Sequence, residues 1–209
     1  NLCESAGANV KQVSKAMGQD GRISSKFLHP GPGFGGSCFP KDTEAFAQVA
    51  RKNGTKLRTI EAAVKTNKEQ KLRMVKKMLN LVGGNFKNKT IAILGLAFKP
   101  NTDDVRESAS IEMIDIIKEK GGFVNAYDPV ANNSMKIIFP DISYKNSWEK
   151  ACQSVDGVVI MTEWNEFRGI SLSYLKSIMK TPVLLDTRNI LPVKKLKQNG
   201  FFFDNVGNN

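Results

Sequence analysis

Cys38 closes the run Gly31-Pro32-Gly33-Phe34-Gly35-Gly36-Ser37-Cys38 and stands just before Phe39-Pro40-Lys41-Asp42. Pro40 suits the first turn of a helix, and residues 43–52 continue one, with Phe46, Val49 and Ala50 on one side and Gly54 as its stop. A cysteine at a helix N-terminus, with a lysine close by, is where proteins commonly generate a nucleophilic thiolate. Asp42 follows four residues later and has the chemistry to activate water or relay a proton, or simply to cap the helix. Four glycines in the six residues 31–36 permit positive φ angles and a close backbone approach to a ligand. Several loop N–H groups could then converge on an anion or a developing oxyanion. The sequence shows no packing use for these glycines, so the loop reads as a site.

The remaining reactive residue types offer less. Cys3 and Cys152 fall in helical patterns and read as structural, and no CxxC pair or histidine cluster suggests a metal. His29 is the one histidine; beside Pro30, in a stretch expected to be extended, it reads as a wall or hydrogen-bond donor rather than a general base. Lys and Arg number 31 against 20 Asp and Glu, a net charge of +11. These cations are dispersed, and no nucleic-acid-binding motif accompanies them, so the excess suits a small anionic substrate better than DNA or RNA. No apolar run approaches the ~18 residues of a membrane span, and a cytoplasmic location is expected.

The elements that must position these groups fall into two parts. Residues 1–6 read as an uncapped helix tail stopped at Gly7, so the chain is expected to continue a longer protein. Asn9 can cap a short helix over 10–17, with Gln12 at the capping-box position, Gly18 as the stop, and Val13 and Met17 facing the core. A long amphipathic helix runs from 57 to 82, its apolar three- and four-residue steps interrupted by a polar gap at 66–69, and ends at Gly83-Gly84. From residue 90 onward strands and helices alternate. Strands are expected at 90–97, 123–130, 155–162, 182–187 and 201–206, and helices at 110–120, 147–153, 172–179 and 194–198. Continuous apolar strands of this kind argue an α/β fold, a buried parallel sheet with helices on both faces. Such sheets bind ligands at the carboxyl ends of their strands, where Lys99, Asp128, Thr162 and Arg188 lie.

Three blocks then carry a resemblance. Gly33 to Asp42, preceded by Gly21-Arg22-Ile23 and Lys26-Phe27-Leu28, resembles the active-site segment of the UDP-glucose/GDP-mannose dehydrogenase family. Gly95-Leu96-Ala97-Phe98-Lys99, followed by Thr102-Asp103-Asp104-Val105-Arg106-Glu107-Ser108, resembles the start of that family's C-terminal domain. Asp186-Thr187-Arg188-Asn189 resembles a late strand end of the same domain. The resemblance implies a helical dimerisation domain over 1–84 that carries the cysteine loop, and a Rossmann-like UDP-sugar-binding domain over 88–209.

It also implies an activity: NAD-dependent four-electron oxidation of the primary alcohol of a sugar nucleotide, through a thiohemiacetal and a thioester on Cys38, with Asp42 assisting. Arg22, Phe27, His29, Phe34, Gly35, Phe98, Lys99 and Arg188 would contact the substrate, Arg22 from the neighbouring subunit of a homodimer. Lys41 and Arg106 would contact NAD. The family's NAD-binding glycine motif is expected outside this chain, since no GxGxxG follows a strand here. Gly95 and Asp128 do not supply one, for the second and third glycines are missing, and Asp128 reads as a strand-end cap. Ser37 before Cys38 favours the UDP-glucose branch, with GDP-mannose or a UDP-N-acetylhexosamine as alternatives. A sugar-nucleotide-binding and dimerisation module without activity of its own is the reading from another class.

Overall fold

The computed structural model describes residues 1–207. Helices α1 (Leu2–Ser5), α2 (Val10–Met17), α3 (Phe39–Lys52) and α4 (Arg58–Leu81) form a helical half. Strands and helices then alternate as β1 (Thr90–Leu94), α5 (Ala109–Glu119), β2 (Phe123–Tyr127), α6 (Asn132–Ile138), β3 (Ser143–Tyr144), α7 (Trp148–Cys152), β4 (Gly157–Ile160), α8 (Asn165–Arg168), α9 (Leu172–Ile178), β5 (Val183–Asp186), α10 (Val193–Gln198) and β6 (Phe202–Asn205). All strand pairs are parallel, in the order β3-β2-β1-β4-β5-β6. The order reverses between β1 and β4, which is where a doubly wound sheet opens a crevice at its carboxyl edge. The expected α/β architecture is present. The two-residue edge strand β3 and the short helices α6 and α8 are additions to it.

The sheet is buried on both faces, as its unbroken apolar strands require. On one face Ile91 and Ile93 pack with Met113, Ile114 and Ile117 of α5 and with Met74, Val75 and Met78 of α4. On the other, Ala92, Leu94, Val158 and Ile160 pack with Phe167, Leu175 and Leu196. Helix α4 therefore belongs to both halves: its middle turns face the cysteine loop and its last turns lie in the core of the sheet. Gly157 marks the contact, since a Cβ there would sit 2.3 Å from Met78 Cε.

A charged cluster fixes the same join. Glu4 pairs with Arg73 and, at 3.0 Å, with Lys77, while Lys77 also reaches Asp204 at 2.8 Å and the Gly207 N–H donates to Glu4 at 2.9 Å. Burial pushes the Glu4 carboxyl up, but hydrogen bonds from Arg73, Lys77 and Gly207 outweigh it and hold its pKa at about 2.

Helix α2 begins as expected, with the Asn9 side chain accepting from the N–H groups of Lys11 and Gln12. Its apolar face departs from expectation. Val13 and Met17 are 41% and 46% exposed, and no residue of α2 is buried, so this face does not meet the core. Phe46 and Val49 of α3 are also exposed, at 57% and 55%. Among the described residues no helix is long and apolar enough to cross a membrane, and no group of histidine, cysteine and acidic side chains could hold a metal ion.

Candidate functional site

The glycine loop lies along the middle turns of α4 and against residues 98–107. Asn67 grips Phe34 at both polar groups of its backbone: the Phe34 N–H donates to Asn67 Oδ1 at 2.7 Å, and Asn67 Nδ2 donates to the Phe34 carbonyl at 3.0 Å. One turn on, Gln70 Nε2 donates to the Gly31 carbonyl at 3.0 Å, and Lys71 Nζ donates to the Glu107 carbonyl at 2.9 Å. The Gly36 N–H donates to the Arg106 carbonyl at 2.8 Å. The loop then enters α3, with Cys38 at its N-cap position and Pro40 in the first turn.

These contacts correct the reading of the glycines as free of any packing use. A Cβ on Gly35 would lie 2.3 Å from the Glu107 carbonyl oxygen, and one on Gly36 would lie 2.7 Å from the Phe98 ring. The glycines let two backbones touch, and Gly36, at φ +84°, also takes the left-handed conformation that glycine favours. The expected cradle of loop amides is correspondingly smaller, because the N–H groups of Phe34 and Gly36 are held by protein acceptors.

Where the loop meets α3, α4 and the 106–107 turn there is an open cleft of about 1060 Å³. Phe34, Cys38, Lys41, Asn67, Lys68, Lys71 and Arg106 line it together with Glu44 and Glu107, and Lys71 also pairs with the Glu107 carboxylate at 3.4 Å, so four cations and two carboxylates surround the opening where the Cys38 thiol is exposed. The Ser37 hydroxyl is 3.8 Å from Cys38 Sγ. Arg106 is aimed by Asp104, which accepts from its Nε at 2.9 Å and from its Nη2 at 2.7 Å. Those bonds raise the guanidinium's pKa first, the Asp104 charge adds to this, and Cys38 contributes a smaller part in the same direction.

Other residues singled out from the sequence stand apart from the cleft. Asp42 is exposed and pairs with Lys41 at 3.3 Å. Its N–H donates to the Cys38 carbonyl at 2.8 Å, the first hydrogen bond of α3. Arg22 lies on an exposed loop, its Nε and Nη2 donating to Asp20 at 3.0 and 2.7 Å. Phe27 is 92% exposed, and His29 is exposed on the same segment. None of the four lines the cleft within a single chain.

The strand-end residues form a second group behind the loop. Arg188 is half-buried, donating from Nε to the Met161 carbonyl at 2.7 Å and from Nη2 to the Phe98 carbonyl at 3.1 Å, with Glu163 at 3.1 Å. Burial lowers its pKa, while Glu163 and Asp186 raise it. A Cβ on Gly31 would lie 3.3 Å from its Nη1, so the Arg188 guanidinium lies against the start of the loop. The exposed Lys99 extends over the Phe98 ring at 5.3 Å.

Asp128 is a structural hub, as its strand-end reading implied. It accepts from the N–H groups of Leu96, Ala97, Val130 and Ala131 and from the Trp164 indole. Asn67, Gln70 and Lys71 were missed from the sequence, although the polar gap at 66–69 in an otherwise regular apolar stripe marks where α4 faces the loop.

Comparison with known proteins agrees with this fold. The profile of the UDP-glucose/GDP-mannose dehydrogenase family's central domain matches residues 1–69, and that of the family's UDP binding domain matches residues 92–193. The chain is 42% identical to a UDP-glucose 6-dehydrogenase of Rhizobium meliloti, covering 99% of this chain and 47% of that one. It is 39% identical to the UDP-glucose 6-dehydrogenase TuaD of Bacillus subtilis, covering 99% and 45%. The solved UDP-glucose dehydrogenase of the archaeon Pyrobaculum islandicum superposes with a TM-score of 0.85 at 31% identity, covering 97% of this chain and 44% of that one. The chain thus spans about half the length of the curated relatives it matches. It belongs to the UDP-glucose/GDP-mannose dehydrogenase family, of which it carries the central and the UDP binding portions.

Proposed function

We propose that this chain forms the thiol-bearing and sugar-nucleotide-binding part of an enzyme that oxidises UDP-glucose to UDP-glucuronate. The observation that carries the reading is the cleft itself, in which Cys38 from the helical half faces Arg106 from the sheet half. The cationic lining fits a diphosphate, since lysine and arginine give charge-assisted hydrogen bonds to phosphate oxygens. Lys99 at the strand ends is assigned to the substrate. Arg188 supports the wall behind it, because its guanidinium already serves the Phe98 and Met161 carbonyls.

The chemistry follows from an exposed thiol beside cations. After the primary alcohol has lost a hydride and a proton, the Cys38 thiolate adds to the resulting aldehyde and forms a thiohemiacetal. Loss of a second hydride and of the hydroxyl proton leaves a thioester. Water then cleaves the C–S bond, releasing the carboxylate and regenerating the thiol. Covalent capture keeps the aldehyde in place and turns the second oxidation into hydride loss from a tetrahedral adduct. The exposed Asp42 would assist the water only when its side chain turns towards the cleft.

NAD accepts the hydrides when bound. Lys41 and Arg106 are the residues that would hold it along the cleft. The turn after β1 is ill suited to do so. Its Leu96 and Ala97 N–H groups, which would face a dinucleotide's diphosphate, donate to Asp128, and a Cβ on Gly95 would lie 2.5 Å from Thr162. We assign Arg22, Phe27 and His29, on their exposed segment, to the site of a second subunit in a homodimer.

Calorimetric titration of the 209-residue chain tests the substrate assignment. UDP-glucose and UDP are expected to bind, and GDP-mannose to bind at least tenfold more weakly, about 1.4 kcal/mol in binding free energy. Equal affinity for GDP-mannose would assign the other branch of the family, and no binding of any sugar nucleotide would refute the reading.

A further inference from the structure

We propose that Asn67 is the positioning residue for Cys38, holding the cysteine loop so that the thiol stands in the cationic part of the cleft. The inference rests on the reading of Cys38 as the nucleophile. Asn67 uses one acceptor and one donor on the two polar groups of a single residue, Phe34, at 2.7 and 3.0 Å. Among side chains of this length only asparagine offers both: aspartate cannot donate, and leucine can do neither. The fit is close, since a Cβ on Gly33 would lie 2.8 Å from Asn67 Oδ1, which leaves no room for a side chain at position 33.

Phe34 is where a grip of this kind acts on the thiol. Two residues on, Gly36 is bonded to Arg106 and seated on the Phe98 ring, and two further on comes Cys38. The Phe34 ring also packs against that of Phe39, the residue after the cysteine, with centroids 5.8 Å apart. The loop is thus pinned to α4 at Phe34 and to the sheet half at Gly36, and Cys38 emerges from the second pin with its direction set. Without Asn67 the Gly36 pin remains, but Phe34 and its ring contact with Phe39 lose their anchor on α4, and the thiol carried between these two residues gains freedom to turn away from Arg106.

The test reads the field around the sulfur and uses neither sugar nucleotide nor cofactor, so it fails or succeeds separately from the proposed oxidation. Cys38 in the 209-residue chain is alkylated with anionic iodoacetate and with neutral iodoacetamide, and each cysteine is followed by peptide mass spectrometry. A thiol held among cations favours the anionic reagent, so the iodoacetate-to-iodoacetamide rate ratio should exceed that of the urea-unfolded chain by about threefold or more. Arg106→Met should lower this ratio and thereby calibrate it.

Asn67→Leu, uncharged and of similar size, should bring the ratio close to the unfolded value while buried Cys152 stays unreactive, which shows that the fold is kept. A merely structural loosening would raise both rates together and leave the ratio unchanged, and that result would overturn the proposal. If Asn67→Leu makes Cys152 reactive, the milder Asn67→Ser replaces it and is measured by the same ratio. Were both variants to expose Cys152, Asn67 would be a folding residue and the proposal would fall.

Discussion

Gly35→Ala isolates how tightly the cysteine loop is docked. The backbone φ at Gly35 is not in the left-handed region, so the substitution introduces no conformational strain and acts through space alone. The new Cβ would lie 2.3 Å from the Glu107 carbonyl oxygen and 2.8 Å from its carbon, both backbone atoms that no rotamer change can move. Ordinary contact needs roughly an ångström more. The Arg106–Glu107 turn must therefore retreat, and it carries the carbonyl that accepts from the Gly36 N–H at 2.8 Å. Loss of that hydrogen bond costs about 1–3 kcal/mol and the overpacking a similar amount. Taking about 3 kcal/mol, the melting temperature should fall by roughly 6–12 °C for a chain of this size. Thermal unfolding followed by circular dichroism measures this, with Gly21→Ala as the control, since a Cβ there meets nothing within 4 Å. A Gly35→Ala chain that melts with the control would refute the docking of the loop on the 106–107 turn.

Two further outcomes concern polar clusters elsewhere in the fold. The Glu4 carboxyl is held at about 2, below its ordinary value of 4.5, so its contribution to stability is present above pH ~4.5 and is lost as the pH falls towards 2. Glu4→Gln should remove that portion of the acid dependence, about 2 kcal/mol once solvent screening is allowed for, as read from urea unfolding at pH 7 and pH 3. Asp128→Asn places an amide NH₂ among donors that now share a carboxylate, and should destabilise the chain by about 3 kcal/mol in the same assay. A change below ~1 kcal/mol would contradict the hub role of Asp128.

The architecture was largely legible because a buried parallel sheet writes itself as continuous apolar runs. Residues 91–94 and 157–160 are wholly buried and appear in the sequence as such. The β3 strand, two residues long at the sheet edge, has no room to show a period. The faces of α2 and α3 show the limit of periodicity: an amphipathic stripe says that one face is apolar, not that this chain covers it, and Val13, Met17, Phe46 and Val49 are exposed. At the site, the cysteine and its helix were readable from type and spacing. The use of the glycines was not, because the partner that presses on Gly35 lies 72 residues away in sequence at Glu107. Asn67 left a trace as part of a polar interruption, but only its place opposite Phe34 gives that trace a meaning.

The central claim, that Cys38 captures the aldehyde between two oxidations, is tested most directly by joining the chain to the portion of the Rhizobium meliloti relative that it does not cover and counting NADH formed per UDP-glucose. The account predicts two NADH per sugar, with Cys38→Ser unable to complete the second oxidation. One NADH per sugar, or two that survive Cys38→Ser, would contradict it.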